Sequence, residues 1–165
     1  MQLINRNNLY YLLTTLLDQQ IAKAGNKQNL TVCFDIDGTI YDPYSKRSIF
    51  PIINFYKYCQ AKNLRVIIIT ARVGIRENAM LTKSMLKPFG VYADEWYFMN
   101  NFINNQIKYK QDMRQFEEER GNNIIMSLGD NVCDIGKYGG LGVLVRESHA
   151  HGQKYDPANI FYQII

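Results

Sequence analysis

The chain is poor in histidine and cysteine. Both histidines, His149 and His151, fall near the end of the 165 residues. That leaves little for a histidine-based metal site or a nucleophile–histidine triad. Cys33, Cys59 and Cys133 are widely spaced and form no CxxC. An odd, scattered set argues against a disulfide framework or a zinc knuckle. No stretch approaches the roughly 20 apolar residues of a membrane span, so no membrane association is expected. No run of basic residues marks a nucleic-acid arm. No GxxxxGKS or GxxxxGKT is present, which excludes a fused P-loop kinase. Internal repeats and low-complexity segments are missing too.

What is present is ordinary for a globular domain: 47% hydrophobic and 21% charged residues, in a length that suits one domain with a real core. The net charge of +4 suits an anionic substrate. Near the N-terminus, Arg6, an apolar stretch and Ala22-Lys23-Ala24 have the outline of a signal peptide. However, Leu9, Leu12, Leu13, Leu16, Leu17 and Ile21 follow helical spacing, and Asp18, Gln19 and Gln20 interrupt the run. Residues 5–24 therefore read as an amphipathic helix, stopped near Gly25, and the expected location is cytoplasmic.

Short β-branched runs then alternate with helical patterns. Strands are expected at 30–36, 65–70, 95–99, 124–128 and 142–145. Helices are expected from Pro51 to about Lys62, at 74–88, at 110–120 and, shorter, at 131–138. The tail from 147 to 165 reads as irregular, with Pro157 as a candidate start for a last short helix. This alternation predicts a single α/β domain over residues 1–165: a three-layer, doubly wound, Rossmann-like parallel sheet of about five strands. Ligands bind such sheets at the carboxyl ends of the strands.

The polar residues fall at those ends. Thr31–Thr39 reads TVCFDIDGT, an apolar run leading to Asp35 and Asp37. Residues two apart on an extended chain share a face. Two carboxylates converging at a buried strand end need a cation or a proton, which suggests a metal site, a covalent carboxylate nucleophile, or both. Thr70 closes the second strand, followed by Ala71 and Arg72. Lys110 lies near a helix start, with Lys108 as a rival. Asp130 and Asp134 follow the fourth strand, four apart and on one face of a helical turn. Singly, each has a plainer use: a turn or calcium-type loop for DxDG, a cap hydroxyl for Thr70, a solvated charge for Lys110, a helix cap for Asp130 and Asp134. Their occurrence in order at strand ends favours one site. Arg76, Lys46, Arg47 and Arg114 read mostly as surface charges, and Tyr41 and Tyr44 as candidates to stack a substrate base.

This order resembles the haloacid dehalogenase-like (HAD) phosphatase superfamily over roughly residues 30–146, closest to its class B-like, plant-type acid phosphatase branch. The Tyr109-Lys110, Arg114, Gly121, Ile124, Gly129-Asp130, Asp134 and Gly136 run carries the likeness to that branch. The resemblance implies Asp35 as nucleophile and Asp37 as general acid and base. Mg²⁺ would be held by Asp35, the Asp37 main-chain carbonyl and Asp130. Thr70, Lys110, the Ala71 N–H and Arg72 would bind the phosphoryl group, with Gly38 and Asp134 in support. Neither the stretch from Asp37 to Thr70 nor that from Thr70 to Lys110 has room for a folded cap, so an open, capless site is expected. The expected substrate is a phosphorylated small molecule or the phosphate end of a nucleic acid or protein. The rival readings are a non-catalytic phosphate-binding or phosphoacceptor domain, or a phosphotransferase of the same fold. The sequence leaves homo-oligomerisation open.

Overall fold

The computed structural model describes residues 2–102, 104–147 and 159–164. The β-branched run LTVCF forms β2 (Leu30–Phe34) at the centre of the sheet. Strand β1 is Gln2–Asn5 and helix α1 is Arg6–Ala24. After β2 comes a small hairpin, β3 (Tyr41–Asp42) and β4 (Arg47–Ser48). Helix α2 (Phe50–Ala61), β5 (Arg65–Val73) and α3 (Arg76–Leu86) follow. Then come a 3-10 turn at Lys87–Phe89, β6 (Glu95–Met99), α4 (Gln106–Glu119) and β7 (Asn123–Gly129). A second 3-10 turn (Val132–Asp134), β8 (Leu141–Glu147) and β9 (Asn159–Ile164) complete the described chain.

The sheet runs β1-β9-β8-β7-β2-β5-β6. Five adjacent members, β8, β7, β2, β5 and β6, pair in parallel, as the alternating pattern predicts. β9 and β1 extend it antiparallel beside β8. This corrects two expectations. Residues 159–164 of the supposed irregular tail form a strand, and a strand precedes the N-terminal helix. Pro157 and both histidines lie outside the described residues. The helix expected over 131–138 is only the Val132–Asp134 turn.

Alternation along the strands fixes the layers. Val32, Phe34, Val66 and Ile68 share a core with Leu9, Leu13 and Leu17 of α1 and with Ile52, Phe55 and Tyr56 of α2. Cys33, Ile67 and Ile69 face the other way, against Tyr109 of α4. Leu86 of α3 joins the first core. Thus α1, α2 and α3 cover one face and α4 the other, and the central strands β2, β5 and β7 are buried on both sides. Leu9, Leu13 and Leu17 are fully buried, so this helix is a working layer of the domain. Among the described residues no helix is long and apolar enough to cross a membrane.

One buried charge sits far from the strand ends that matter for chemistry. Glu117, near the end of α4, is fully buried. It accepts from Arg65 Nη1 at 2.6 Å and from Asn122 Nδ2 at 2.9 Å, and the Tyr97 hydroxyl donates to its other oxygen. Removing one partner of such a network leaves the others buried and unpaired. Glu117→Ala is therefore expected to cost about 3–5 kcal/mol, read as a lowered urea midpoint.

Candidate active site

Asp35 follows the last residue of β2, and its N–H still bonds the Leu128 carbonyl of β7 at 3.0 Å. The chain then turns sharply. The Ile36 carbonyl accepts N–H groups from Thr39, Ile40 and Tyr41 at 3.1, 2.9 and 3.0 Å. Gly38 has φ +77°, and a side chain there would fall on the Asp130 carboxylate. Glycine serves both the turn and the close approach of the two acidic segments. Gly129 permits a similarly close approach to Asp134, where a Cβ would overlap the aspartate side chain.

Lys110, in the second turn of α4, is buried. Its Nζ donates to Asp35 Oδ1 at 2.6 Å and also to Asp134 Oδ1. Lys108 instead points to solvent and pairs with Asp112 at 2.5 Å, so Lys110 is the lysine at the site. Asp134 caps its own turn, accepting the Asn131 N–H on Oδ2 at 2.9 Å. Asp35, Asp130 and Asp134 each offer a carboxylate oxygen, all within 4.8 Å of one another. An all-oxygen set of this kind suits a hard divalent cation.

Arg114 corrects the sequence reading. It is not a surface charge but a buried clamp. Its Nε donates to the Lys137 carbonyl at 3.1 Å, Nη1 to Cys133 at 3.0 Å and Nη2 to Ile135 at 3.1 Å. One guanidinium thereby holds the loop that carries Asp134. The signal was its spacing of four residues from Lys110, which places both on one face of α4.

Three carboxylates around one ammonium leave excess negative charge in a poorly hydrated place. Burial, then the neighbouring Asp134, pushes Asp35 up from 3.8 to about 8. Burial, then Asp134 again, pushes Asp130 up to about 6. Burial works against the charge on Lys110, but Asp35 and Asp134 outweigh it and hold the ammonium above the ordinary lysine range. These shifts fix a sign. Between the ordinary carboxylate value and the raised ones, the folded state binds more protons than the unfolded chain. Metal-free protein is therefore expected to lose stability as pH rises from about 4 toward 8. A divalent cation should offset the loss at the upper end. Thermal melts with chelator or with Mg²⁺ across that range would check this, and a cation effect independent of pH would count against it.

Thr70 is buried where β5 loses its register. Thr70 pairs with Phe98 and Val73 with Met99, so Ala71 and Arg72 bulge out between them. A bulge re-aims side chains at a strand end. Here Arg72 turns back over the Tyr41 ring, 5.8 Å from its centroid. It grips Asp37 with two bonds, Nε to Oδ2 at 2.8 Å and Nη2 to Oδ1 at 2.7 Å. Nη1 reaches Thr82 Oγ1 at 3.2 Å, and the Arg72 N–H donates to Thr70 Oγ1 at 3.1 Å. Such a fork fixes a carboxylate in both position and plane.

The structure thus gathers the sequence candidates into two adjoining groups. Asp35, Lys110, Asp130 and Asp134 form the buried cluster, with Gly38 against Asp130. Asp37, Arg72 and Thr70 form a second group, more open on the Asp37 side, where the carboxylate is 39% exposed. Asp134 stands with the cluster carboxylates, whereas the Asp37 carboxylate is engaged by Arg72. Tyr41 is buried beneath Arg72, which removes it as a base-stacking surface. Tyr44 lies on the hairpin turn and is 85% exposed. Among the described residues the β3–β4 hairpin is the sole strand insertion between Asp37 and Thr70, and no large cap covers the site.

A family model described as HAD superfamily, subfamily IIIB (acid phosphatase) matches residues 43–155. The chain belongs to this family. The match includes Thr70, Lys110, Arg114, Asp130 and Asp134 and begins after Asp35 and Asp37. Among solved structures, the class C acid phosphatase from Bacillus anthracis is similar in fold, with 17% identity and a TM-score of 0.57 over 78% of this chain. The aligned part is 64% of that protein's length, so the chain spans less than two thirds of it. A member of a phosphoryl-transfer superfamily with a trigonal-bipyramidal intermediate aligns at 25% identity and a TM-score of 0.33. That alignment covers 55% of this chain and 38% of the other, too partial to define a shared fold. No curated protein matches the chain.

Proposed function

We propose that this chain is a Mg²⁺-dependent phosphomonoester hydrolase working through an aspartyl-phosphate on Asp35. The observation that supports it is the buried Asp35 carboxylate at the end of β2, held at 2.6 Å by Lys110 beside Asp130 and Asp134. A bound cation would supply positive charge between the carboxylate nucleophile and the phosphate, which otherwise repel. Asp35 and Asp130 are its carboxylate ligands in this reading, with the Asp37 carbonyl, and Asp134 supports Lys110.

Asp35 attacks phosphorus, and the bond from phosphorus to the leaving oxygen breaks. In this reading Asp37 supplies the proton that the leaving oxygen takes up. Water then attacks the aspartyl-phosphate and returns a proton to Asp37, freeing Asp35 and inorganic phosphate. Lys110 and Thr70 bind the phosphoryl oxygens as charge moves between them. Thr70 Oγ1 accepts from the Arg72 N–H, which leaves its own O–H to donate. The Ala71 N–H, in the bulge, is a further donor. Arg72 orients Asp37.

The open site suits bulky phosphomonoesters: a nucleotide, the phosphate end of a nucleic acid, or a phosphoprotein. The decisive test is Mg²⁺-dependent phosphate release from p-nitrophenyl phosphate, across acidic and neutral pH, with a chelator control. Absence of turnover by metal-loaded protein would overturn the enzyme reading. Asp37→Asn is expected to slow alkyl phosphates by about 10²–10⁴-fold, the span that proton transfer contributes. The good p-nitrophenyl leaving group should suffer much less. Equal losses on both substrates would remove Asp37 from the proton-carrying role.

A further inference from the structure

Two residues of α3 are buried. Leu86 enters the apolar core, as a helix laid on a sheet requires. Thr82, one turn earlier, is 1% exposed, and packing alone would be served as well by an apolar side chain there. Its Oγ1 instead accepts from Arg72 Nη1 at 3.2 Å. A second polar side chain of α3 reaches the same stretch of β5: Asn78 Nδ2 donates to the Val73 carbonyl at 2.5 Å. Asn78 and Thr82 are four apart, so they share a face of the helix.

The backbone around Arg72 is tied down on both sides. Its own N–H donates to Thr70 Oγ1 at 3.1 Å, Asn78 holds the Val73 carbonyl, and the Gly74 N–H donates to the Met99 carbonyl of β6 at 2.8 Å. The guanidinium is tied down separately. It is planar, and its N–H groups point in fixed directions. Nε and Nη2 hold Asp37. Nη1 lies against α3, on Thr82 and 4.0 Å from Met85 Sδ, and the Tyr41 ring lies across the guanidinium face. Thr82 thus sets the direction in which the fork points. A fork anchored only on the carboxylate it grips would follow that carboxylate, which is partly exposed, instead of fixing it.

We propose that Thr82 is a positioning residue for proton transfer by Asp37. It acts through Arg72: α3 fixes the guanidinium, and the guanidinium fixes the position and plane of the Asp37 carboxylate. Asn78 holds the bulge from which Arg72 springs. The proposal rests on Asp37 as the proton carrier. Its consequence falls on the leaving group. An alkyl leaving oxygen is strongly basic and takes up a proton from Asp37 as its bond to phosphorus breaks, so the carboxyl must stand at a defined place. A p-nitrophenyl leaving group needs that proton far less. Thr82 therefore extends the enzyme toward alkyl phosphomonoesters.

Thr82→Val keeps the shape and removes the hydroxyl. It should lower kcat for an alkyl phosphate about ten-fold, the lower end of what loss of an outer partner costs. KM should hold, because Thr70 and Lys110 are untouched, and the fall for p-nitrophenyl phosphate should be smaller. Thr82→Ser should restore the alkyl rate. Ser84→Ala, at an exposed position on the same helix, should change nothing. In an Asp37→Asn background Thr82→Val should add no further loss, since both act through one group. Exchange of the Arg72 Nε–H with solvent, followed by NMR, reports the anchor without turnover. It should be slow in the wild type and faster in Thr82→Val. A wild-type alkyl rate in Thr82→Val would overturn the proposal, as would a loss that Thr82→Ser shares in full or one that adds in full to Asp37→Asn. An unchanged exchange rate would overturn it even if Asp37 proved not to carry the proton, so the two readings fail separately.

Discussion

Asp35→Asn is expected to abolish turnover, with a fall of about 10⁴-fold or more, as for loss of other covalent nucleophiles, while the domain stays folded. The two halves of this expectation come from different physics. Chemically, an amide cannot form the acyl phosphate, so no slower version of the same route remains. Electrostatically, Asp35 is one carboxylate too many. It is buried beside Asp134 and Asp130 with Lys110 as the shared cation, and its raised value of about 8 reports the strain of ionising it. Removing that charge without changing the shape relieves repulsion. The variant should therefore melt at or above the wild-type temperature in chelator, and gain less from Mg²⁺. Steady-state assays with p-nitrophenyl phosphate and melts with and without Mg²⁺ measure both halves. Near-wild-type activity would remove Asp35 from the nucleophile role, and a collapse in stability would show that the carboxylate is a core contact.

Lys110→Met should be among the most damaging substitutions for stability. It fills similar space but leaves Asp35 and Asp134 facing each other without the ammonium that both bind. Breaking a buried ion pair costs about 3–5 kcal/mol. The cost should depend on pH. Carboxylates that lose their cation are held still further above the ordinary range, so protonation at low pH removes the repulsion. Urea unfolding should show the larger deficit at pH 8 and a smaller one at pH 5, with Mg²⁺ recovering part of it at pH 8. An equal deficit at both pH values, untouched by Mg²⁺, would mean that Lys110 matters only for packing. Turnover should fall with either outcome, because the same ammonium faces the phosphoryl oxygens in the proposed reaction.

Much of this was readable in the chain. β-branched runs such as LTVCF and RVIIIT report two-sided burial, and burial on both faces requires helices on both faces. The acidic residues stood where strands stop, and that position is a matter of sequence order. Other features were not readable, because they depend on contacts between distant segments. Ala71 and Arg72 leave the ladder only because β6 pairs Phe98 and then Met99 with residues three apart in β5. No local propensity announces that bulge, so the grip of Arg72 on Asp37 was invisible. Arg114 looked like a surface charge because arginine usually is one. Its three carbonyl partners lie in a loop some twenty residues further on. The antiparallel β1–β9 pair brings two segments far apart in sequence together, and neither has the β-branched run that marks an inner strand.

Helix α4 carries Lys110, Arg114 and Glu117 on one side, and all three are buried. The first reaches the carboxylate cluster, the second the loop behind it, and the third the opposite end of the sheet. A helix advances about 100° per residue, so a register error of a single residue would withdraw all three groups from their partners at once. Partial docking of α4 has nothing to offer: each charge would lose water before finding its counterpart. Seating of this helix is thus expected to be all-or-none. A chain that has seated α4 wrongly lacks the Asp35–Lys110 contact as well as the Glu117 anchor, and appearance of activity during refolding should coincide with burial of that helix rather than trail behind it.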